Sequence, residues 1–583
     1  MESVNEEIRV VSEDIGDHKV LVVTKGNKTV LLDTMYDENA FFSEWIQEQH
    51  IPNSMGLKVI LFGLGNGIIA RKILDEFSDA VVLAVEPSEE ILLHVTKEYS
   101  IDDLLENQRF YLCRSRSDEN GELSSFFSEH IKYSDTENYC ILTYPNYNLL
   151  FEEELSCLSE TLSSWFSAIS ADYDFTGDYG GILNKNTFGN LKCFAKSKSF
   201  EGLTDGSLKD YTAIIVAAGP SLGKNIANLK AAKGKAIIVA VDAAMLPLSR
   251  AGIVPDFVVA VDPCKDGRYL ADEKSKHVPL ITTLSSSCEM IATHLGEKFF
   301  VSDTRIYISR FLRDNEIYIP LLPTGGSVAN NALSLVVLLG CTNIILVGQD
   351  LAFTGDRTHA ENSVRAGDAV SNYKTLCTDT DIFGNEIGTC GEFRLFKTWM
   401  ENFLISNPDL NVVDATEGGA LIKGTKICSL KEAIDEYCNE EVDISSIVAK
   451  CKPLLNDELQ SKLYLYMRAL IETYQSNKSM LCELVDKYNT MKRMIFEGKY
   501  RTGLFLKLSN ETNEILNHME SDIAMEYVRD VIQDKRNQMI KSINERKNSE
   551  EEDLLFVCDQ GEQYARYMIE AIDSISEEIR EKL

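Results

Sequence analysis

The chain has few cysteines for its length, and basic residues are scarce relative to acidic ones. Its 14 cysteines are scattered through 583 residues, and no two of them form a Cys-X-X-Cys pair. A disulfide framework and a structural zinc site are therefore not expected, and a reducing cytoplasm is the predicted compartment. The 58 basic residues face 91 acidic ones, which gives a formal net charge of −33. This charge makes nucleic acid and anionic membranes poor general partners.

The chain also lacks a long uninterrupted apolar segment. One of its longest apolar stretches, 333–347, is broken by Gly340, Thr342 and Asn343, so no membrane-spanning helix is predicted. The first 19 residues are acidic and have no apolar centre, so they do not resemble a secretory signal. A small anionic ligand is still compatible with the negative charge, because backbone N–H groups bind anions locally.

Three regions of the sequence differ in residue pattern, and 583 residues are too many for one core. Residues 1–175 and 176–430 alternate short β-branched runs with amphipathic stretches, which predicts two successive α/β domains. The first is predicted to be Rossmann-like and the second to be a doubly wound central domain. Over 431–583 the β-branched runs disappear and apolar residues fall at helical spacing, which predicts an all-α C-terminal bundle.

The N-terminal region carries a glycine-rich turn between a strand and a helix. Buried strands are predicted at 58–63 and 80–86, with a helix at 68–77 between them, which makes a parallel βαβ unit. The turn 63–67 (Gly-Leu-Gly-Asn-Gly) follows the first strand, and Glu86 ends the second. This arrangement resembles the first motif of Rossmann-type methyltransferases, in which the turn binds a nucleotide or S-adenosyl group. The alternative is a turn that only packs helix against strand.

The central region has strands that end on polar residues. Strands are predicted at 213–217, 236–241, 257–261, 280–283 and 343–347. Four strand ends carry a turn or side chain suited to binding: Gly219-Pro220-Ser221, Asp242, Asp262 and Gln349-Asp350. Ligands of doubly wound sheets bind at the carboxyl ends of the strands. These residues are therefore predicted to share one crevice, in which the Gly-Pro-Ser turn before a helix suits a phosphate.

Further motifs accompany these strand ends: Thr324-Gly325-Gly326-Ser327, Thr358-His359-Ala360 and Asp414 to Gly424, which includes Glu417. As a set, the motifs from Ala217 to Gly424 resemble the motility-associated factor (Maf) flagellin glycosyltransferases. The central domain of that family is similar to 6-hydroxymethylpterin pyrophosphokinase-like proteins. The resemblance covers the central region by motif, and it extends to the whole chain by its three-part layout.

The central region also resembles, more distantly, bacterial sialyltransferases that use a CMP-activated sugar. Their Gly-Asn-Gly-Pro-Ser-Leu turn is similar to Ala217-Ala218-Gly219-Pro220-Ser221-Leu222, although the asparagine is absent here. They have asparagines where this chain has Asp242 and Asp262, and a Thr-Ser-Gly turn that resembles Thr324–Ser327. Aspartates repel a phosphate unless they are protonated or bridged by a metal. A divalent metal is therefore left as an open alternative with no ligands assigned, and so is hydrogen bonding to sugar hydroxyls.

The resemblance implies a protein O-glycosyltransferase. It would transfer a nonulosonic acid (pseudaminic, legionaminic or sialic-type) from a CMP-activated donor to Ser or Thr of flagellin by one inverting displacement. The donor contacts are expected at Gly219, Pro220, Ser221, Asp242, Asp262, Thr324, Gly325, Gly326, Ser327 and Gln349. Besides the donor, no cofactor is assigned.

His359 is the candidate catalytic base. It lies in a loop of small and polar residues after a strand end, and histidine titrates near working pH. Asp350 and Glu417 are further catalytic candidates. The alternative for His359 is a loop histidine bonded to a backbone carbonyl.

Three other functions stay open. The central motifs and aspartates also suit a Mg²⁺-dependent 6-hydroxymethylpterin pyrophosphokinase-like enzyme. A non-catalytic flagellin-binding chaperone would use the acidic C-terminal bundle as a helix-binding surface. A methyltransferase would use the glycine-rich turn 63–67. Neither the identity of the nonulosonic acid nor the oligomeric state follows from the sequence.

Overall fold

The computed structural model describes residues 8–15, 18–34, 37–52, 54, 56–115, 122–132, 135, 138–303, 306–355, 357–373, 375–543 and 549–583. The chain forms two compact units. The N-terminal unit comprises Met1–Gly180, Lys478–His518 and Arg529–Ala571. The central unit comprises Gly181–Asn477, Met519–Val528 and Ile572–Leu583. The boundaries proposed above for three domains stay a prediction.

The N-terminal unit contains two sheets. An antiparallel sheet is formed by β1 (Ile8–Ile15), β2 (His18–Lys25) and β3 (Lys28–Leu31). A parallel sheet in the order β6-β5-β4-β7 is formed by β4 (Lys58–Phe62), β5 (Val81–Val85), β6 (Phe110–Cys113) and β7 (Tyr139–Thr143). Because α2 (Ile68–Glu76) joins β4 to its parallel neighbour β5, the predicted βαβ unit is confirmed.

Helices accompany this parallel sheet: α1 (Glu38–Glu48), α3 (Glu89–Tyr99), α4 (Asp102–Leu105), α5 (Glu122–His130), α6 (Tyr147–Leu150) and the long α7 (Glu152–Ala195). The start of α3 illustrates why they begin where they do. The Ser88 hydroxyl accepts a hydrogen bond from Ile91 N–H, and Glu89 and Glu90 occupy the first turn. A capping side chain and early acidic residues both stabilise a helix N-terminus.

The central unit is built on an eight-stranded sheet in which all neighbours are parallel. Its order is β12-β11-β10-β9-β8-β13-β16-β17. The strands are β8 (Ala213–Val216), β9 (Ile237–Val241), β10 (Phe257–Val259), β11 (Leu280–Thr282), β12 (Lys298–Phe300), β13 (Asn343–Val347), β16 (Asn411–Asp414) and β17 (Lys426–Ile427). A separate antiparallel ribbon consists of β14 (Leu376–Thr380) and β15 (Glu386–Cys390). The five central strands predicted from sequence are all present.

Both faces of the central sheet are buried, which explains its continuous β-branched runs. In β8, Ile214 and Val216 belong to one apolar cluster, and Ala213 and Ile215 belong to the other. The covering helices include α8 (Leu222–Asn225), α9 (Met245–Arg250), α10 (Cys288–Thr293), α12 (Val328–Leu338), α13 (Gly391–Ser406), α14 (Leu430–Tyr437) and α15 (Ile444–Lys450). The helix α11 (Ile306–Asp314) belongs to the same unit. Parallel sheets require such cover, because crossover helices lie on both faces.

The C-terminal region is helical, as predicted. It consists of α16 (Asp457–Phe496), α17 (Gly503–Ser521), α18 (Glu526–Val531), α19 (Gln533–Ile543) and α20 (Glu550–Lys582). The apolar residues Leu463, Met467, Leu470 and Tyr474, which fall at helical spacing, are buried along α16. No helix in the described part of the chain combines the length and apolar character needed to cross a membrane.

Candidate active site

A cavity of about 230 Å³ lies at the carboxyl ends of β8, β9 and β13. The strand order reverses there, because the chain leaves β8 for β9 and later places β13 on the other side of β8. Loops diverge at such a switch point and leave a crevice between them. The cavity wall includes eight predicted site residues: Gly219, Asp242, Asp262, Gly326, Ser327, Gln349, Asp350 and His359. Their roles stay predictions.

The carboxylate of Asp350 occupies the Gly219–Ser221 turn. The Ser221 N–H donates to Oδ1 of Asp350 at 3.0 Å, and the Ser221 hydroxyl donates to Oδ2 at 2.7 Å. A Cβ atom at position 219 would overlap Oδ2 of Asp350, so glycine is required there. Pro220 and Ser221 are buried outside the cavity wall. The groups predicted to bind phosphate are therefore already bonded to an internal carboxylate.

Asp350 is an acid whose charge is disfavoured by its surroundings. Only 2% of the residue is exposed. Burial raises the pKa of Asp350 to about 6, although the hydrogen bonds from Ser221 and the charge of Lys224 favour the carboxylate. Burial also raises the pKa of Asp414. Asp350 is thus expected to gain or lose its proton close to neutral pH.

Lys265 neutralises the aspartates that follow β9 and β10. Its ammonium donates to both carboxylate oxygens of Asp242, at 2.7 and 2.8 Å, and lies 3.8 Å from Oδ2 of Asp262. Burial opposes the charge on Lys265, but the two aspartates outweigh it and hold the pKa of Lys265 above its ordinary value. Lys265 lies outside the motifs predicted to form the site. The sequence feature that could have indicated it is a lysine three positions after Asp262, at a strand end in an acidic chain.

The described residues do not favour a metal between these aspartates. Lys265 already takes both oxygens of Asp242. Within the described ranges, no group of three or more His, Cys, Asp or Glu side chains is placed to hold a metal ion. The protein's own ammonium thus provides the positive charge that the aspartates were expected to require.

The Thr324–Ser327 turn is only partly on the cavity wall. Gly326 and Ser327 line it, followed by Val328 and Ala329 in the first turn of α12. Ser327 caps this helix, since its hydroxyl accepts from Asn330 N–H at 3.2 Å. Thr324 is exposed and Gly325 lies beneath Trp399; neither lines the wall. The N-terminus of an eleven-residue helix therefore lines the cavity, and the end of a helix at which N–H groups begin suits an anion.

His359 lines the cavity, and its Nε2 has no hydrogen-bond partner among the residues that the structure describes. Its Nδ1 lies 3.0 Å from the Thr358 hydroxyl, and that hydroxyl donates to the Asp368 carbonyl at 3.3 Å. Because the Thr358 hydroxyl has only one proton to donate, it accepts a hydrogen bond from the Nδ1–H of His359. This tautomer leaves the lone pair of the neutral imidazole on Nε2. Burial, with the positive charges of Arg365 and Lys265, lowers the pKa of His359 to about 4, against the opposing charge of Asp368. The imidazole is therefore neutral at pH 7.

An aromatic cluster forms another part of the wall. Tyr373, Phe393 and Phe396 line the cavity together with Glu392. The Phe353, Tyr373 and Phe393 rings lie 5.2 to 5.6 Å apart between centroids. The cluster comes from the first turns of α13 and from the loops before β14, which carry no nucleotide-binding pattern in sequence. Only the tertiary structure brings these rings to the strand ends.

Gln349 and Glu417 differ in their placement. The Gln349 side chain lines the cavity, and its amide oxygen is buried without a hydrogen-bond partner among the described residues. Glu417 is not on the wall. Its carboxylate accepts from Asn225 Nδ2 at 3.2 Å and from Leu430 N–H at 3.1 Å, at the start of α14. The Glu417 carboxylate thus holds the loop between β16 and β17 against α14.

Comparisons with known proteins agree with this architecture. Residues 185–356 match a family described as 6-hydroxymethylpterin diphosphokinase MptE-like. A segment of 106 residues is 28% identical to an "Uncharacterized protein" of Treponema pallidum (strain Nichols), covering 18% of this chain and 49% of that protein. The chain thus spans about half the length of this curated relative.

A solved structure covers nearly the whole chain. The MAf glycosyltransferase from Magnetospirillum magneticum AMB-1 superposes with a TM-score of 0.68 and 16% identity, over 99% of this chain and 94% of that one. The chain has the Maf glycosyltransferase fold. This result confirms the fold class and the resemblance identified from the motifs.

In this Maf fold the N-terminal glycine-rich turn is filled by two tyrosines. The Tyr144 and Tyr147 side chains are fully buried, and a Cβ at Gly65 or Gly63 would overlap the ring of Tyr144 or Tyr147, respectively. The Tyr147 hydroxyl accepts from Gly65 N–H at 3.1 Å. The space above the turn is thus occupied by protein, which favours the packing interpretation over a cofactor site.

Glu86 is likewise committed to the protein. Its Oε2 accepts from Leu64 N–H at 2.9 Å and from the Tyr147 hydroxyl at 2.7 Å, and its Oε1 accepts from Ser88 N–H at 2.9 Å. Burial raises the pKa of Glu86 to about 7 despite these hydrogen bonds. The carboxylate that would bind ribose hydroxyls in a nucleotide-binding Rossmann domain instead fastens the turn to α6.

Proposed function

We propose that the chain is a cytoplasmic glycosyltransferase that transfers a nonulosonic acid from a CMP-activated donor to Ser or Thr hydroxyls of flagellin. The observation that carries this proposal is the cavity at the switch point of the central sheet, in a chain with the Maf fold over nearly its full length. Its wall combines a helix N-terminus, cationic side chains and a neutral histidine. Transfer from an anionic donor needs these groups.

We place the donor phosphate at the start of α12. Gly326, Ser327, Val328 and Ala329 line the cavity at this helix N-terminus, while the Gly219–Ser221 turn is taken by Asp350. Preorganised N–H groups stabilise the charge that develops on a leaving phosphate. Lys265 lies on the same wall and offsets the charges of Asp242 and Asp262.

The reaction is a single displacement at the anomeric carbon. The acceptor hydroxyl oxygen forms the new bond to that carbon as the bond to the phosphate oxygen breaks, and CMP leaves with the electron pair. His359 takes the hydroxyl proton on Nε2, which the Thr358 contact leaves unprotonated. With a pKa near 4 His359 is a weak but fully deprotonated base in the free protein. A bound anion beside it raises that pKa toward the working pH.

A second candidate function is a 6-hydroxymethylpterin pyrophosphokinase-like activity. The family model matched by residues 185–356 favours it, and the aromatic wall offers rings on which a pterin would stack. Incubation with ATP and 6-hydroxymethylpterin distinguishes the two functions. Formation of AMP and a pterin diphosphate would support the kinase, and unchanged ATP would remove it.

The proposed transfer is tested by the intact mass of flagellin co-expressed with this chain and a CMP-nonulosonate pathway. We expect mass increments of one or more nonulosonic acid residues, and their loss with His359→Gln. His277→Gln is the matched control, because His277 is exposed in the same unit and does not line the cavity.

Two results would contradict the proposal in different ways. Flagellin of unchanged mass that co-purifies with this chain would favour the non-catalytic chaperone. Full modification by His359→Gln would leave the transferase but remove His359 as its base.

A further inference from the structure

Arg365 is a cavity residue with two free hydrogen-bonding groups. Its Nε donates to Oδ2 of Asp368 at 2.6 Å, which fixes one side of the guanidinium. Among the residues that the structure describes, its two terminal amino groups have no acceptor. The side chain is 40% exposed and lines the cavity beside His359 and Tyr373. The free edge of a guanidinium can donate two hydrogen bonds to one planar anion in a bidentate arrangement.

Lys265, the other positively charged side chain described on the cavity wall, already has carboxylate partners. Lys265 gives two hydrogen bonds to Asp242 and lies near Asp262, so it is surrounded by carboxylates. Arg365 has one carboxylate partner, Asp368, on the side of Nε. Both cations act on His359, whose pKa they lower. An anion bound by Arg365 would therefore lie beside the candidate base and would offset the charge that acts on it.

We propose that Arg365 binds the carboxylate of the donor sugar and thereby makes the cavity specific for acidic sugars over neutral ones. The inference rests on the proposed function and names the part of the donor that this residue recognises. A carboxylate matches the fork of a guanidinium in shape and charge, whereas a sugar hydroxyl does not. Because the helix N-terminus of α12 is available for the phosphate, the two anionic groups of one donor would have separate partners.

The experiment measures binding of CMP-N-acetylneuraminic acid and of its methyl ester, which lacks the carboxylate charge, by calorimetry. The full-length protein is compared with Arg365→Gln and Arg365→Lys. A charge-assisted pair lost on esterification predicts about 10- to 100-fold weaker binding of the ester by the native protein. We expect Arg365→Gln to bind acid and ester equally and Arg365→Lys to lie between. CMP alone is expected to bind all three proteins within about twofold, which also establishes that the variants are folded.

Arg250→Gln is the matched control. Arg250 is an exposed arginine of the same unit, bonded to Asn362, and it does not line the cavity. It should keep the native preference for the acid. An undiminished preference in Arg365→Gln would overturn the inference while the transferase proposal stands. A parallel loss of CMP binding in that variant, with a native circular dichroism spectrum, would assign Arg365 to the phosphate and also overturn it. If the native protein binds neither CMP-sugar nor CMP, the proposed function itself fails.

Discussion

Replacing Asp350 by asparagine is expected to stabilise the central unit at neutral pH. Folding raises the pKa of this carboxyl from 3.8 to about 6, so the folded state binds its proton more tightly than the unfolded state does. The stability that this proton contributes is present below pH 4 and is lost as the pH rises through 6. A shift of two pKa units corresponds to about 3 kcal/mol of unfolding free energy.

Asparagine preserves the geometry while removing the ionisation. Its oxygen can accept from Ser221 N–H, and its amide nitrogen can donate to the Ser221 hydroxyl, in place of the two bonds made by Asp350. We therefore expect Asp350→Asn to match the native protein near pH 4 and to exceed its stability by about 3 kcal/mol at pH 8. A buried charge kept at this cost is typical of a functional site.

The assay is urea unfolding at a series of pH values, followed by tryptophan fluorescence. The chain has three tryptophans, and replacing Trp45 and Trp165 by phenylalanine leaves Trp399, which belongs to the same unit as Asp350. Asp409→Asn removes an exposed carboxylate of that unit and serves as control, with a curve parallel to the native one. A stability difference for Asp350→Asn that stays constant with pH, or that favours the native protein at pH 8, would refute the reasoning.

Two further predictions concern the glycine-rich turn and the candidate base. Gly65→Ala should destabilise the N-terminal unit by about 3 kcal/mol, because the new methyl overlaps Tyr144 at a positive φ. Gly56→Ala is the control, because Gly56 has a positive φ but open space around it; it should cost only about 1 kcal/mol. Urea unfolding followed by Trp45 fluorescence compares the two variants. Equal losses of unfolding free energy would argue against Tyr144 filling the space above the turn. The value of kcat/KM for transfer should be constant from pH 6 to 8 and should fall below pH 5, because His359 in the free protein has a pKa near 4. A rate rising steeply between pH 6 and 7 would indicate another base.

The strand ends of the central unit illustrate what local pattern can predict. Runs buried on both faces, separated by helical stretches, indicate a parallel sheet. All strands of such a sheet present their carboxyl ends at one edge, so Asp242, Asp262 and Gln349 were expected together and do share a cavity. This inference needed no knowledge of which strand neighbours which.

The partners of these side chains could not be inferred in the same way. Asp350 and Ser221 are 129 positions apart, and nothing near either residue indicates that the carboxylate fills the Gly-Pro-Ser turn. Lys265 and Arg365 lie outside the motifs that carried the resemblance, and their placement depends on how loops fold back over the strand ends. Glu417 was predicted at the site from its neighbourhood in sequence, but its carboxylate bonds to Asn225 and Leu430.

The N-terminal unit likewise shows that a sequence pattern predicts local structure but not long-range contacts. The glycine pattern of turn 63–67 correctly predicted a tight turn between β4 and α2, because backbone conformation is a local property. Whether the space above the turn holds a cofactor or protein depends on residues far along the chain, and Tyr144 and Tyr147 take it. Periodicity and chain direction were therefore enough to predict the elements, the parallel sheets and the edge at which a ligand can bind. Which polar groups remain available to a ligand depends on long-range partners, and these are known only once the chain is folded.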